Sequence, residues 1–140
     1  MASRDRVEPR VTDKCFGCGQ LNPGGLKLKF SIDGDSVSAE FTPSAAHEGY
    51  PGYLHGGITC AVLDEAMGWA AYHLSSGALA ATARLQIKFR RPIFIGEPLT
   101  VKASITRKSS RHLWTQATMK RKDGKLAAEA TAIMVIGGPE

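Results

Sequence analysis

Residues 52–74 read GYLHGGITCAVLDEAMGWAAYHL. Two adjacent glycines, Gly56 and Gly57, precede a long apolar run whose only charged residues are the neighbours Asp64 and Glu65. From about Gly57 to Leu74 only Gly68 weakens a helix, and apolar side chains fall on every side of the wheel: Ile58, Val62, Leu63, Met67, Trp69 and Ala70. A helix that is apolar all round is expected to be buried all round. On both sides of it the sequence period changes to two. Leu26, Leu28, Phe30 and Ile32 alternate with polar residues, a turn follows at Asp33-Gly34-Asp35, and Val37, Ala39 and Phe41 alternate again, which predicts a β-hairpin. Two prolines and two glycines between residues 43 and 55 predict a loop.

After Ser75-Ser76-Gly77, Ala83, Leu85, Ile87 and Phe89 form one face, and Arg84, Gln86, Lys88 and Arg90 the other, up to Pro92. Leu99, Val101, Ala103 and Ile105 repeat the pattern, as do 111–121 and 126–136, joined by a turn at Asp123-Gly124. The predicted order is β-β-α-β-β-β-β. One apolar helix and about six antiparallel strands fit an α+β architecture in which the sheet curls around the helix.

At 140 residues, 43% hydrophobic and 22% charged, the chain has the composition of one globular domain. Residues 1–14, charged and without an apolar stretch, are expected to form a flexible N-terminal lead to a single domain over 15–140, and neither a signal peptide nor an anchor. No run reaches the ~18 uncharged apolar residues of a membrane span, so a cytoplasmic protein is expected. Three cysteines, Cys15, Cys18 and Cys60, do not suggest a disulfide framework. CFGC has the spacing of a zinc half-site or redox motif, but no second CxxC completes a tetrad, so a packed lead segment and no metal are expected. The net charge of +5 is unevenly placed: from Arg84 to Lys125 there are twelve basic residues and two acidic ones. That stretch suits a polyanion or phosphorylated ligand, or else a solvated strand face.

A carboxylate pair in a core is costly unless it is paired or faces a cavity. Adjacent helical residues point about 100° apart, so one can face a pocket and the other solvent or a partner chain. The bland alternative is a pair that caps a strand or bonds Arg84. The chemical alternative is a general base or nucleophile. The glycines favour the second, because the first amides of a helix lack intrahelical acceptors and carry its positive dipole end. Without side chains at Gly56 and Gly57, a carbonyl oxygen can approach those donors as in an oxyanion hole. Gly56 and Asp64 are nevertheless eight residues apart, about 12 Å along one helix, too far to act on one carbonyl. A second copy packed antiparallel would bring its Asp64 to the first Gly56, so the site requires a dimer.

HGGITCAVLDEAMG, followed some twenty-five residues after the Asp by FRRP, resembles the hotdog-fold acyl-CoA thioesterases of the 4-hydroxybenzoyl-CoA thioesterase superfamily. The opening CFGCGQLNPGGLKL resembles their phenylacetate-pathway-like branch, and the likeness runs over about residues 15–136. It implies the hotdog fold and hydrolysis of an acyl- or aryl-CoA thioester in a homodimer that assembles to a tetramer. It also implies that the Gly56 amide polarises the thioester carbonyl, with Gly57 beside it. Asp64 of the other subunit then activates water or attacks directly. Thr82 implies a hydroxyl that holds the water or carboxylate, and His55 a residue that shapes the turn. Some relatives have a polar residue seven positions before the first glycine, where this chain has Gly49.

The same resemblance puts coenzyme A, here part of the substrate and no separate cofactor, along FRRPIF and TRKSSRH. Arg90, Arg91, Pro92, Lys108, Ser109, Ser110 and Arg111 are then the candidate contacts, basic groups on phosphates and hydroxyls as hydrogen-bond donors. Tyr50, Tyr53, Met67, Trp69 and Tyr72 are candidates for an acyl pocket or for packing. Rival readings are a non-catalytic acyl-CoA-binding hotdog protein, a hydroxyacyl-CoA dehydratase and a nucleic-acid-binding module. The dehydratase calls for an Asp–His pair that is not seen. The last calls for aromatics interleaved on the strand faces, which are also missing, so no nucleic acid and no membrane partner are expected.

Overall fold

The computed structural model describes residues 14–75 and 79–137. Strands β1 (Ser31–Asp33) and β2 (Ser36–Phe41) lead through a 3-10 turn (Ala45–His47) into helix α1 (Gly56–Leu74). Then come β3 (Ala80–Phe89), β4 (Leu99–Lys108), β5 (His112–Lys120) and β6 (Leu126–Ile136). All neighbours are antiparallel, in the order β1-β2-β4-β5-β6-β3. The predicted element order and the α+β class are those observed. Among the described residues, no helix is long and apolar enough to cross a membrane. The proposed flexible lead falls on residues 1–13, outside the described residues, as does part of the turn expected after Ser75.

Alternation explains the sheet. Leu99, Val101 and Ala103 of β4, Leu113, Thr115, Ala117 and Met119 of β5, and Ala128, Ala130, Ala132 and Met134 of β6 are buried on one face. Helix α1 packs across that face, chiefly on β4 and β5. The largest fully buried side chains include Phe30, Leu63, Met67, Leu99, Leu113, Met119 and Met134. Truncating Leu63 or Met67 to Ala would cost about 2–5 kcal/mol, because a void would be left in a packed layer.

Two expectations are corrected. The helix is not buried all round: Thr59, Val62, Leu63, Ala66, Met67, Ala70 and Ala71 form a buried stripe, while Cys60, Asp64, Glu65, Gly68 and Tyr72 lie on a half-buried side. A single curled sheet covers only one side of a cylinder. The first hairpin is also shorter than its alternation suggests. Leu26, Leu28 and Phe30 are buried, but Lys27 adopts φ 53°, and the Leu26 and Leu28 amides donate to the carbonyls of Phe16 (2.7 Å) and Gly17 (2.9 Å). The segment pairs with the CFGC loop and not with β2 as far back as residue 26.

Candidate active site

The chain enters α1 through a tight turn in which the Gly49 amide donates to Tyr53 O (2.8 Å) and the His55 amide to His47 O (3.0 Å). Gly49 keeps this turn tight, because a Cβ would lie 3.0 Å from His55 Cα, closer than ordinary contact. His55 is the N-cap, with φ −62° and ψ 132°, and its Nδ1 accepts from the Gly57 amide at 2.8 Å. An accepting Nδ1 puts the ring proton on Nε2. The expected turn-shaping task of His55 therefore has a definite form, since it satisfies one of the orphan amides of the helix start.

The two glycines then do different things. A Cβ on Gly57 would come within 3.0 Å of the His55 ring, and its amide is occupied by that ring. Gly57 makes room for the cap, so its expected place against the substrate is not supported by this geometry. Among the described residues the Gly56 amide has no acceptor, and Gly56 lines a pocket of about 340 Å³. The rim and walls include Tyr53, Thr59, Phe89, Arg90, Arg91 and Pro92. A second hollow of about 440 Å³, walled by Tyr50, Tyr53 and His55, also reaches Gly56. The structure thus gathers Gly56 with Arg90, Arg91 and Pro92, and adds Phe89 and Thr59. Phe89 was visible as an aromatic in FRRP, but nothing local to it marked its place over the helix start.

Two turns along the same helix, Asp64 Oδ1 accepts from Thr82 Oγ1 at 2.7 Å. This short, charge-assisted bond fixes the carboxylate's direction. It depends on a β-bulge. The β3–β6 register pairs Thr82 with Met134 and Arg84 with Ile133, leaving Ala83 as the extra residue. Leu85, Ile87 and Phe89 pair with Ala132, Ala130 and Ala128, whose side chains face the helix. Unbroken alternation would have turned Thr82 outward with Arg84, and the extra residue turns it in.

The remaining candidates separate. Arg90 pairs with Glu129 (3.2 Å), and Arg91 Nη1 donates to Leu126 O (2.7 Å), so both heads have protein partners at the pocket rim. Lys108 Nζ donates to Leu74 O (2.8 Å), at the far end of α1. There it satisfies a terminal carbonyl and the negative dipole end. Ser109 Oγ accepts from the His112 amide (3.0 Å), and Ser109, Ser110 and Arg111 are exposed in the β4–β5 turn. A 19-residue helix is about 28 Å long, so in one chain TRKSSRH and FRRP do not form one site. Of the aromatic candidates, Met67 is core, and Trp69 and Tyr72 pack with His73, leaving Tyr50 and Tyr53 near Gly56.

A single helix lying on a six-stranded antiparallel sheet, with an open amide at its start and a held carboxylate two turns on, defines a hotdog-type domain. The family model for the thioesterase superfamily matches residues 51–128, more than half of the chain, and the chain belongs to that family. It is 33% identical over 94 residues to the acyl-coenzyme A thioesterase THEM4 of Mus musculus, covering 66% of this chain and 40% of that protein. The chain thus spans about two fifths of the length of that relative. Among solved structures it resembles the E. coli PaaI protein from the phenylacetic acid degradation operon, with TM-score 0.73 at 21% identity over 79% of this chain and 80% of that one. It also resembles smu.793 of Streptococcus mutans bound to acetyl CoA, with TM-score 0.72 at 19% identity over 81% and 90%. The last two likenesses bear on the fold.

Proposed function

We propose that this domain hydrolyses an acyl- or aryl-CoA thioester to the free acid and coenzyme A, in a site shared between two copies. The observation that carries the reading is the pairing, on one helix, of Gly56, whose amide has no acceptor among the described residues and which lines a cationic-rimmed pocket, with a carboxylate at Asp64 held by Thr82. The acetyl CoA bound to the S. mutans neighbour and the THEM4 activity support the substrate class. The thioester carbonyl accepts from Gly56 N–H, and Asp64 of the partner subunit takes a proton from water as its oxygen attacks the carbonyl carbon. The oxyanion is held by the amide, collapse breaks the C–S bond, and the thiolate leaves and takes up a proton. Coenzyme A enters only as part of the substrate, and the chemistry calls on no cofactor.

A second copy is supported by β3. Among the described residues it is an edge strand whose outer backbone is unpaired, with Leu85 38% and Phe89 59% exposed on its helix-facing side. Pairing two such edges sets the helices antiparallel and covers the half-buried side of α1. The C-terminal end of the partner's helix, with its Lys108, Ser109, Ser110 and Arg111, then approaches this copy's Arg90 and Arg91 and reunites the two basic segments around one nucleotide. A tetramer of two such dimers and a reducing compartment, the cytoplasm, complete the proposal.

Thiol release from a panel of short, aryl and long acyl-CoAs tests it. At least one should turn over, and Asp64→Asn should remove turnover while coenzyme A binding persists. Binding without release from any substrate would make the protein a binder. Loss of activity by Glu65→Gln equal to that of Asp64→Asn would refute the assignment of Asp64.

A further inference from the structure

The hydrolytic reading uses Asp64 and leaves its neighbour unexplained. Glu65, about 100° around the helix from Asp64, meets the N-terminal CFGC loop. Cys15 Sγ lies 3.7 and 3.8 Å from the two Glu65 carboxylate oxygens. The two sulfurs and a Glu65 oxygen lie within 4.8 Å of one another. We propose that Cys15, Cys18 and Glu65 bind a thiophilic divalent cation, Zn²⁺ by the chemistry of the donors, which clamps the N-terminal loop to α1 directly behind the catalytic carboxylate.

The distances fit. With Zn–S near 2.3 Å and Zn–O near 2.1 Å, a tetrahedron has S···O edges of about 3.6 Å and an S···S edge of about 3.8 Å. The observed sulfur–carboxylate spacing already matches such an edge. Two thiolates and a carboxylate form a soft-biased set that suits Zn²⁺ over Mg²⁺ or Ca²⁺. The fourth position goes to water, because Cys15 and Glu65 keep partial solvent access.

The loop is also built around the carboxylate. A Cβ at Gly17 would meet Glu65 Oε2 at 2.5 Å and Cδ at 2.6 Å, so the glycine leaves the space that the carboxylate occupies beside the sulfurs. The carbonyls of residues 15 to 18 are held by Gly19 N (2.8 Å), Leu26 N (2.7 Å), Leu28 N (2.9 Å) and Gln20 Nε2 (3.1 Å), so the sulfurs hang from a fixed frame. Binding a divalent cation releases both thiol protons to solvent, and two thiolates, one carboxylate and the ion together carry a net charge of −1. The sequence showed only half of this site, since the third donor lies 47 residues beyond Cys18.

The test uses the full chain, purified anaerobically with a non-chelating reductant and titrated with Co²⁺. The expected result is one Co²⁺ per chain, with thiolate-to-cobalt charge-transfer absorption and a tetrahedral ligand-field spectrum, both displaced by Zn²⁺. Cys18→Ser should abolish the charge-transfer band or weaken binding at least a hundredfold. Glu65→Gln should weaken it about tenfold with the band retained, and Asp64→Ala should bind as wild type. Should the cysteine variant fail to fold, the wild-type spectrum and the Glu65→Gln affinity decide. No thiolate band from the reduced wild type, an unchanged affinity in Glu65→Gln, or a Cys15–Cys18 disulfide trapped by alkylation at lysis would each overturn the proposal. None of these readouts depends on thioester hydrolysis.

Discussion

Exchange of subunits between two inactive variants tests the shared site directly. Gly56→Pro removes the open amide and little else. His55 already has φ −62° and ψ 132°, the extended conformation that a residue before proline requires. Position 56 is the first of the helix, where proline is tolerated, and a Cβ there meets the Phe89 ring at 3.7 Å, an ordinary contact. Asp64→Ala removes the carboxylate and, with it, the acceptor of the 2.7 Å bond from Thr82. Loss of an oxyanion donor costs about 10²–10³ in kcat, so each homodimer should be nearly silent in a thiol-release assay. The two groups stand about 12 Å apart along one helix, and a site built across two chains draws one from each. Unfolded together and refolded at equal concentrations, half of the dimers are mixed, and each mixed dimer has one doubly damaged and one intact site. About a quarter of wild-type activity should return. A well-refolded mixture confirmed as dimeric but still silent would refute the inter-subunit site, because groups drawn from one chain leave a lesion in every site.

Other expectations follow from the same geometry. Thr82→Val should lower kcat about 10- to 100-fold with little change in KM, since it removes a charge-assisted bond worth about 1.5–3 kcal/mol, and Thr82→Ser should restore most of it. A Val variant of wild-type rate would mean that the hydroxyl does not orient Asp64 for chemistry. Arg90→Ala with Arg91→Ala should raise KM more than it lowers kcat, an effect that shrinks in high salt, as expected of uniform binding to phosphates. An unchanged KM in low salt would remove both from the nucleotide path. Burial pushes the His73 imidazole below its ordinary value. As pH falls below about 6.5 the unfolded chain takes up that proton first, so this contribution, present above pH 6.5, is lost on acidification. Thermal melts should show a smaller drop in Tm from pH 7.5 to 5.5 for His73→Phe, which keeps a ring against Trp69, and equal drops would discard the idea.

Local patterns in the sequence were enough to place the helix between a glycine pair and Leu74, to find the strands by their period of two, and to single out Asp64 and Glu65 as the charges that the core had to explain. These features are legible because side-chain direction repeats every 3.6 or 2 residues, and the repeat is set by the backbone within a few positions. Tertiary structure decided the rest. Thr82 reaches Asp64 only because the extra residue at Ala83 reverses the parity of β3, and that bulge is defined by pairing with β6, some fifty residues further on. Leu26 and Leu28 carry a strand-like pattern, yet their amides go to the CFGC loop, because the carbonyls of Phe16 and Gly17 compete successfully with β2. Lys108 and Arg90 look like parts of one basic patch in the sequence but lie toward opposite ends of α1 within a chain. Glu65, indistinguishable from Asp64 by composition, is told apart from it by 100° of helical rotation and by a loop that folds back from residue 15. Periodicity reports which side of an element is buried, whereas the partner that a polar side chain finds there depends on chain segments distant in sequence, which only the packed fold brings within 3 to 4 Å.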